Sequence, residues 1–405
     1  MILQDKQIVL GVTGGIACYK AADLCSKLVQ AGAIVDVVMT EAATRFVTPL
    51  PFQTLAKRPV SVDMFQLLRD TDMAHISLAA RAEALLIAPA TANTLAKLAH
   101  GLADNLLTST ALACPSPLLL APAMDADMWE HPATQANVET LLERGAVMVG
   151  PEEGRLASGR MGPGRLAPVA SILGALRQTL GRNGPLRGVH VTVTAGGTQE
   201  PLDPVRHLGN RSSGRMGYAL AEAARDLGAA VTLISAPTCL ETPYGIQRID
   251  VQSASQMRDA VMNALPDTEI LLMAAAVADY RPADYAQGKI KKGDEELILP
   301  LARTEDILAE VAAQSNGRRP DLVVGFAAET QNLVENAAAK LQAKRLDLIV
   351  ANDVSRSDRG FGVATNEANL LWADGRREHL PLMPKVAMAE EILARLAQVW
   401  EQRHG

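Results

Sequence analysis

The sequence has little of what nucleic-acid-binding or membrane-binding proteins use. Aromatic side chains make up only 3% of its 405 residues, which argues against the stacking platforms that hold single-stranded nucleic acid. The formal net charge is −6, so the chain has no excess positive charge with which to bind nucleic acid or an anionic membrane. We therefore expect neither nucleic acid nor a membrane as a binding partner.

Cysteine is scarce as well. The chain has 4 cysteines and no CxxC pair, so we expect neither a structural zinc site nor a disulfide framework. The first residues lack the basic segment and following apolar segment of a secretory signal, so we expect the protein in the cytoplasm. The uncharged run 106–124 contains Pro115, Pro117 and Pro122, and it predicts a helix, a loop and a buried strand, not a membrane span.

A strand, a pair of glycines, a helix and a second strand follow one another twice, once in each half of the chain. The first pair is Gly14-Gly15 and the second is Gly196-Gly197. Such a βαβ unit is the building block of parallel sheets. The predicted elements of the two copies are a strand at 8–13, a helix at about 16–30, a strand at 35–39, a strand at 189–195, a helix at about 216–227 and a strand at 231–235.

Further continuously apolar runs predict more strands, as is typical of parallel strands that helices cover on both faces. The predicted strands are 85–89, 118–122, 270–276, 322–328 and 348–352, with a helix near 332–344. A glycine-rich polar segment at 181–188 separates the two sets of elements. We therefore predict an α/β protein with two Rossmann-like, doubly wound domains, residues 1–190 and 191–405, although one large α/β domain would produce similar patterns.

Both glycine pairs stand between a strand and a helix, a position suited to binding phosphate. Glycine lets backbone N–H groups approach an anion, and the helix N-terminus adds a favourable dipole. A tight turn that only needs glycine explains Gly14-Gly15 equally well. The segment 209–217 resembles a Walker A loop, but Arg215-Met216 replaces the lysine and the hydroxyl residue, so we expect a phosphate-binding loop and no P-loop ATPase.

Other candidate residues also have simpler structural explanations. Histidine suits acid–base catalysis, but a lone histidine such as His75 is more often structural. The hydroxyl and amide groups at 89–94 suit a flat, hydrogen-bonding ligand, or they only cap a helix. The charge run 289–292 is typical of a solvated face. Lys340 and Lys344 lie four residues apart, on one face of a predicted helix.

The motifs of the first half, taken in order, resemble the flavin-dependent cysteine decarboxylases. The matching segments are 14–20, His75, 89–94, 122–129 and 159–165. The resemblance implies a flavodoxin-like domain in which FMN oxidises a cysteinyl thiol to a thioaldehyde, CO₂ leaves, and the resulting enethiol is reduced. The implied FMN contacts are Gly14, Gly15, Ile16, Thr40, Pro89, Ala90, Thr91 and Asn93. The implied catalytic residues are His75, Asp125 and Ser158, and the implied substrate contacts are Met124 and Met128.

The second half resembles the phosphopantothenate–cysteine ligases, on the segments 196–198, 209–217, 274–280, 289–292, 325–330 and 351–353. In that family CTP converts the carboxylate of 4′-phosphopantothenate into an acyl-cytidylate, which the amine of L-cysteine attacks. Mg²⁺ and lysines would neutralise the phosphoryl charge. The implied CTP contacts are Met273, Ala274, Ala275, Asp279, Lys289, Phe326, Lys340 and Lys344. The residues that hold the metal stay unknown.

Further roles follow from the same resemblance. Asn210 would stabilise the acyl-cytidylate, Lys289 would serve the second half-reaction, and Arg206 and Ala276 would contact the substrate. Gly209 and Arg215 stand where the family is expected to have Thr and Lys. Together the two halves resemble the bifunctional decarboxylase–ligases of coenzyme A biosynthesis. That resemblance implies a homo-oligomer, a dodecamer built from dimers of the ligase domain and trimers of the decarboxylase domain.

Two residues of the first half depart from the family pattern. Asp125 stands where Asn is usual, and its charge would oppose a substrate carboxylate by about 4 kcal/mol at about 4 Å and an effective dielectric near 20. That repulsion could also promote loss of CO₂. Ser158 stands where Cys is usual, and a hydroxyl is a far weaker acid than a thiol. The final reduction, which needs a proton, is therefore the step most in question.

Three functional interpretations remain open on the sequence. The first is the complete bifunctional enzyme, with both departures tolerated or compensated. The second is an active ligase whose flavin-binding domain is an impaired decarboxylase. The third is an NAD(P)-dependent oxidoreductase with two Rossmann-like halves, which the lack of GxGxxG in either half disfavours.

Overall fold

The computed structural model describes residues 2–65, 73–292, 296–315, 317, 319–329, 333–353 and 362–404. The chain forms two compact units, Met1–Leu180 and Gly181–Gly405. The division falls before residue 190, where we placed the domain boundary. Leu186 explains the difference, because it is buried in the core of the second unit and its N–H donates to the carbonyl of Leu227 at 2.9 Å.

The first unit is built on a six-stranded parallel sheet with helices along the chain between its strands. Strands β1 to β6 are Gln7–Val12, Ile34–Met39, Val60–Ser61, Ala84–Ala90, Leu118–Pro122 and Val147–Met148. Strands β7 and β8 are Glu152–Arg155 and Met161–Arg165. Helices α1 to α9 are Cys18–Gln30, Glu41–Thr44, Pro49–Ala56, Ala74–Arg81, Ala92–His100, Leu106–Ala113, Ala126–Glu130, Pro132–Glu143 and Val169–Gly181.

The strand order of the first sheet is β3-β2-β1-β4-β5-β6. Without the two-residue edge strand β3, this is the order of flavodoxin-like sheets. Every residue of β4 is buried, as continuous apolar runs in parallel sheets require. Each fully buried leucine there, such as Leu85 and Leu86, contributes roughly 1.5–3 kcal/mol relative to exposure. The uncharged run 106–124 forms α6, a loop and β5, as predicted.

The second unit is built on an eight-stranded sheet with helices along the chain between its strands. Strands β9 to β14 are His190–Ala195, Gln199–Pro201, His207–Gly209, Ala230–Ser235, Gln247–Asp250 and Ile270–Met273. Strands β15 to β20 are Tyr280–Pro282, Leu301–Arg303, Leu322–Glu329, Leu348–Asp353, Thr365–Trp372 and Arg377–Pro384. Helices α10 to α14 are Arg215–Asp226, Ala254–Ala264, Ile307–Ala312, Leu333–Ala343 and Lys385–His404, and a 3₁₀ turn covers Leu265–Asp267.

The strand order of the second sheet is β13-β12-β9-β14-β17-β18-β19-β20. The first six strands run parallel, and their order is that of doubly wound dinucleotide-binding folds. Strands β19 and β20 extend the sheet in antiparallel orientation. The prediction of two doubly wound α/β domains is therefore confirmed. The sequence analysis did not predict the two antiparallel strands. Among the helices of the described ranges, none is long and apolar enough to cross a bilayer.

One predicted strand is shorter than its apolar run. The run 270–276 predicted a strand over its whole length, but β14 ends at Met273. The next residues leave the strand because their backbones bond elsewhere. Ala275 N–H donates to the hydroxyl of Thr194 at 3.1 Å, and Ala276 N–H donates to the carbonyl of Gly196 at 2.8 Å.

Candidate active sites

The first unit has a cavity of about 1330 Å³ at the carboxyl ends of β1 and β4. In open α/β sheets this is where ligands bind, because the strand order reverses there. Most of the residues predicted for the flavin and its substrate line the cavity, namely Gly14, Gly15, Ile16, Thr40, Thr91, Asn93, Met124, Asp125, Met128 and Ser158. Pro89 and Ala90 are instead buried within β4.

Thr13 joins the ends of the two strands behind the cavity. Its hydroxyl donates to the carbonyl of Pro89 at 2.7 Å, and Thr91 N–H donates to that hydroxyl at 3.1 Å. Thr91 also caps α5 by accepting from Thr94 N–H at 3.4 Å. Thr91 therefore both caps a helix and lines the cavity. The capping interpretation of this segment is confirmed, and the ligand interpretation stays a prediction.

The two glycines after β1 differ in the space around their Cα atoms. A Cβ on Gly14 would lie 2.5 Å from the Cβ of Ala42, so Gly14 allows a close packing contact. A Cβ on Gly15 would meet only the Cγ2 of Thr91, at 3.6 Å. Gly15 therefore leaves space in the cavity, which suits the approach of a ligand to its backbone.

Four cationic residues that we did not predict also line this cavity, Lys20, Lys97, Arg155 and Arg165, and Lys97 is paired with Asp104 at 2.7 Å. Burial and, to a smaller extent, the charge of Arg165 lower the pKa of Lys20. Their positive charge suits an anionic ligand. The signal was present in the sequence, since Lys20 and Arg165 end two of the segments that carry the family resemblance.

The hairpin β7–β8 with its loop, residues 152–165, covers one side of the cavity and is called the flap here. It docks on the segment 124–126. Met124 N–H donates to the carbonyl of Gly164 at 2.9 Å. A Cβ on Gly164 would collide with the carbonyl oxygen of Met124, and one on Gly162 would lie 3.0 Å from the Cβ of Ala126. These two glycines let the flap pack closely.

The two departures from the family pattern contact each other. Ser158 Oγ donates a hydrogen bond to Asp125 Oδ2 at 2.6 Å. Arg160 Nη1 lies 3.6 Å from Asp125 Oδ1, and the same guanidinium forms two hydrogen bonds with Asp127, one of them from Nη2 to Oδ1 at 2.9 Å. The hydrogen bond from Arg160 lowers the pKa of Asp127.

His75 does not join this group. It lies on α4 and is not among the residues that line the cavity. Its Nδ1 atom is buried and has no hydrogen-bond partner among the described residues. The catalytic role that the resemblance implies for His75 therefore stays a prediction.

In the second unit, Asn210 and Ala276 lie together beside the carboxyl ends of β9 and β14. The Asn210 side-chain amide donates to the carbonyl of Ala276 at 3.1 Å, and Ala276 forms a parallel bridge with Gly197. A Cβ on Gly197 would lie 2.9 Å from the carbonyl oxygen of Asn210. The second glycine pair therefore allows the loop of Asn210 to pack against this edge of the sheet.

Asp203, which the sequence analysis missed, joins Arg206 to the segment of Lys289. Its buried carboxylate accepts from Arg206 Nε at 2.9 Å and from Ile290 N–H at 3.1 Å. Arg206 Nη2 also donates to the carbonyl of Ile290 at 2.7 Å. The hydrogen bond from Arg206 holds the pKa of Asp203 well below its usual range. Arg206 and Lys289 are 83 residues apart in the chain. The contacts of Asp203 join the segments on which they lie.

The remaining predicted residues occupy three places. Met273, Ala274 and Ala275 lie at the end of β14, and Phe326 lies on β17 directly after Gly325, the partner of Met273. Asp279 is exposed, and its carbonyl accepts from Thr304 N–H at 3.0 Å. Lys340 lies in the last turn of α13. Lys344 lies one residue beyond that helix, with its ammonium 3.1 Å from Asp306 Oδ2.

Comparison with known proteins places both units in one family. Residues 2–181 match the family described as Flavoprotein. Residues 186–399 match the family described as DNA/pantothenate metabolism flavoprotein C-terminal domain. The coenzyme A biosynthesis bifunctional protein CoaBC of Bacillus subtilis is 45% identical over 404 residues, which is 99% of both chains. The chain belongs to the CoaBC family.

The chain is also similar to a second CoaBC protein and to two solved structures. The CoaBC protein of Escherichia coli strain K12 is 42% identical over 408 residues and covers 100% of both chains. A crystal structure of the C-terminal domain of CoaBC is 37% identical, with a TM-score of 0.47, and covers 54% of this chain and 99% of that one. The FMN binding protein AtHal3 is 32% identical, with a TM-score of 0.39, over 43% of this chain and 96% of that one.

Membership of the CoaBC family confirms the predicted bifunctional enzyme of coenzyme A biosynthesis, with a flavoprotein decarboxylase domain and a ligase domain. A flavin cofactor for the first unit is supported by the Flavoprotein match. The individual roles of the site residues stay predictions.

Proposed function

We propose that the chain joins 4′-phosphopantothenate to L-cysteine with CTP, and then decarboxylates the product to 4′-phosphopantetheine with FMN. Residues 191–405 would carry the ligase and residues 1–190 the decarboxylase. The observation that carries the proposal is the match to CoaBC proteins along the whole chain. A separate candidate site in each unit supports it.

The ligase step needs a better leaving group, because a free carboxylate resists attack by an amine. Forming an acyl-cytidylate with release of pyrophosphate provides one. Asn210 would hydrogen-bond this intermediate, Arg206 would hold 4′-phosphopantothenate, and Lys289 would stabilise charge while cysteine displaces CMP. Asp203 holds the Arg206 guanidinium and also accepts from the backbone N–H of Ile290, the residue next to Lys289.

The triphosphate of CTP would lie against the ends of β14 and β17, with Lys340 and Lys344 as further cations. The described residues contain no cluster of three or more His, Cys, Asp or Glu side chains that could hold a metal ion. Mg²⁺ would instead be bound mainly through nucleotide phosphates and water, as is usual for this ion.

The cavity of the first unit fits a flavin nucleotide. Gly15, Thr40, Thr91 and Asn93 line it with backbone and polar groups, and the cavity volume is ample for a cofactor of that size. FMN would supply a two-electron oxidation and a later reduction of the substrate. The chain would hold the cofactor, position the substrate between Met124, Met128 and the flap, exclude water, and handle the protons.

We also propose that the protein assembles in the cytoplasm as a homo-oligomer, with dimers of the second unit and trimers of the first. Several large apolar side chains of the first unit are strongly exposed in the single chain, among them Leu50 at 68% and Tyr19 at 63%. Burial of such residues between subunits would be favourable. Light scattering of the purified protein would show a dodecamer, and a monomer would contradict the assembly.

Mass spectrometry of the complete reaction tests the function. The purified protein would receive FMN, CTP, Mg²⁺, L-cysteine and 4′-phosphopantothenate, and its absorbance spectrum would be recorded. Formation of 4′-phosphopantetheine with a flavin spectrum is the expected result. Accumulation of phosphopantothenoylcysteine would favour the second interpretation, an active ligase with an impaired decarboxylase. Absence of both products would contradict the proposal.

A further inference from the structure

Asp125 and Ser158 are connected in space although 33 positions separate them in the chain. Both line the cavity of the first unit. The hydrogen bond between them, 2.6 Å from oxygen to oxygen, is short enough to conduct a proton from one group to the other. Asp125 keeps 29% of its side chain exposed, so this carboxylate is neither sealed in the protein nor fully solvated.

The surroundings of the pair fix the geometry. Asp125 Oδ1 faces Asp127 N–H at 3.4 Å and Arg160 Nη1 at 3.6 Å, which leaves Oδ2 to the Ser158 hydroxyl. Arg160 also bonds Asp127, so the loop that carries Ser158 is tied to the segment of Asp125 by a second contact. Ser158 and Asp125 both line the cavity in which the substrate would lie.

We propose that Asp125 and Ser158 form a proton relay that serves the decarboxylase reaction. The proposal rests on the proposed function of the first unit. A hydroxyl alone is too weak an acid to replace a thiol. A carboxyl group that carries a proton is a far stronger acid than a thiol. Joined to such a group, Ser158 needs only to pass a proton on and does not have to supply one.

The protons and electrons of the relay balance in two stages. In the first, the substrate thiol gives its proton to Ser158 Oγ while the hydroxyl proton of Ser158 passes to Asp125 Oδ2. The neighbouring carbon loses a hydride, and a C=S bond forms. Breaking the bond to the departing CO₂ then leaves its electron pair on the substrate, as an enethiolate.

In the second stage the same proton returns. It moves from Asp125 through Ser158 to the carbon that lost CO₂, a hydride returns to the carbon that bears sulfur, and the substrate thiolate takes a proton from water. Both hydride transfers are the two-electron chemistry that a bound flavin supplies. Asp125 ends as it began, ionised, and the net change is one proton taken up for each CO₂ released.

The variant Asp125→Asn separates the relay from simple charge repulsion. Asn caps a helix as well as Asp does, and it can still accept the Ser158 hydrogen bond, but it cannot store a proton. Because Asn can neither take up the thiol proton in the first stage nor return it in the second, the relay predicts that conversion of phosphopantothenoylcysteine to 4′-phosphopantetheine slows by about 10²–10⁴-fold, the usual contribution of a positioned acid or base. Repulsion between Asp125 and the substrate predicts the opposite, a faster reaction.

Three more variants complete the set. Ser158→Ala lacks the hydroxyl and should stop at the same species as Asp125→Asn. Ser158→Thr keeps a hydroxyl and should retain turnover. Adding Ser158→Cys to Asp125→Asn should restore turnover, because a thiol is an acid in its own right. Asp23→Asn at an exposed position of α1 and Ser26→Ala at a half-buried one are matched controls and should behave as the unaltered protein does.

The measurement uses the full chain with FMN and preformed phosphopantothenoylcysteine, and mass spectrometry identifies each species over time. A second readout needs no flavin: tryptic cleavage after Arg155 and Arg160 in the flavin-free protein reports whether the flap stays docked. The relay predicts unchanged cleavage in Asp125→Asn. Faster cleavage in proportion to lost activity would show that the pair only holds the flap, and would overturn the relay.

The outcomes distinguish failure of the proposed decarboxylase from failure of the relay alone. An unaltered protein that makes phosphopantothenoylcysteine from its precursors but never decarboxylates it overturns the proposed decarboxylase and the relay together. An active protein whose Asp125→Asn variant is equally fast or faster overturns the relay alone. Should Asp125→Asn fail to fold, Ser158→Ala decides, because undiminished turnover without the hydroxyl would equally exclude the relay.

Discussion

At the scale of single residues, the packing around Gly14 leaves no room for a side chain. A Cβ added to Gly14 would lie 2.5 Å from the Cβ and 2.7 Å from the carbonyl carbon of Ala42. We expect Gly14→Ala to displace the loop that lines the flavin cavity, at a cost of about 1–3 kcal/mol. Flavin affinity should fall about 10- to 100-fold, as measured by fluorescence titration of the flavin-free protein with FMN.

The control for this prediction is Gly288→Ala in the second unit, because a Cβ there would meet nothing within 4 Å. This variant should bind FMN with unchanged affinity. Unchanged affinity in Gly14→Ala would show that the loop adapts, and would contradict the role given to this contact.

Asp203 provides a second prediction, for the ligase. Asp203→Asn removes the charge that holds Arg206 and the Lys289 segment, and a displacement of about 1 Å at a reacting centre can cost roughly 100-fold in rate. We expect ligase turnover to fall by up to about that factor while flavin binding is unchanged. Asp374→Asn is the matched control, since Asp374 bonds Arg376 in a similar but exposed arrangement. Equal turnover in both variants would contradict the prediction.

The depressed pKa of Asp203 gives a third prediction, on stability against pH. A carboxyl group whose pKa is lower in the folded state stabilises the fold above its unfolded pKa, near 3.9, and this contribution disappears as the pH falls through the folded value. The melting temperature of the unaltered protein should therefore exceed that of Asp203→Asn most clearly above about pH 5. The difference should shrink toward pH 3. A difference that grows in acid would show the opposite sign.

Residue types were easier to predict than their contacts. Asp125, Ser158, Asn210 and Lys289 could be proposed from motifs, because a motif is local in sequence. Neither the bond between Asp125 and Ser158 nor the role of Asp203 could be predicted, since both depend on how distant segments dock.

At the scale of elements, apolar runs predicted the central parallel strands, because burial on both faces imposes the pattern directly. They did not predict β3, β6 and β13, which lie at edges of the parallel strand sets. They failed where the backbone is bonded to a side chain. The run at 270–276 stays apolar, yet β14 ends at Met273, and the hydroxyl of Thr194 holds the next segment. At the start of β19, buried and half-buried residues alternate. The strand therefore has no continuous apolar run by which the sequence could predict it.

The flap gives a prediction at this scale. Gly164 has a φ of 135°, and a Cβ there would collide with the carbonyl of Met124, so Gly164→Ala should prevent close docking of β8. Trypsin should then cleave after Arg155 and Arg160 several-fold faster than in the unaltered protein. Met161→Ala, an exposed position of the same strand at 74%, should leave the rate unchanged. Equal protection in both variants would show that the flap does not depend on this contact.

At the scale of the whole molecule, each unit has its own sheet and its own buried clusters. One cluster of the first unit contains Leu85 and Leu120, and those of the second unit contain Leu233 and Leu271. The sequence predicted this division because the strand–glycine–helix pattern restarts at 189. The sequence analysis placed the boundary at 190, whereas Leu186 is buried in a cluster of the second unit. One buried residue in a glycine-rich segment has no periodicity to reveal it.

The division into two units predicts two thermal transitions that different ligands control. A ligand at about 100 times its Kd stabilises its own domain by about 2.7 kcal/mol, which for units of this size raises the melting temperature by roughly 5–10 °C. In calorimetry of the flavin-free full chain, FMN should raise one transition and CTP with Mg²⁺ the other. Gly14→Ala should weaken only the response to FMN, and Asp203→Asn should leave that response intact. A single transition that both ligands raise would show that the two units unfold as one, because a ligand can stabilise only the cooperative unit to which it binds.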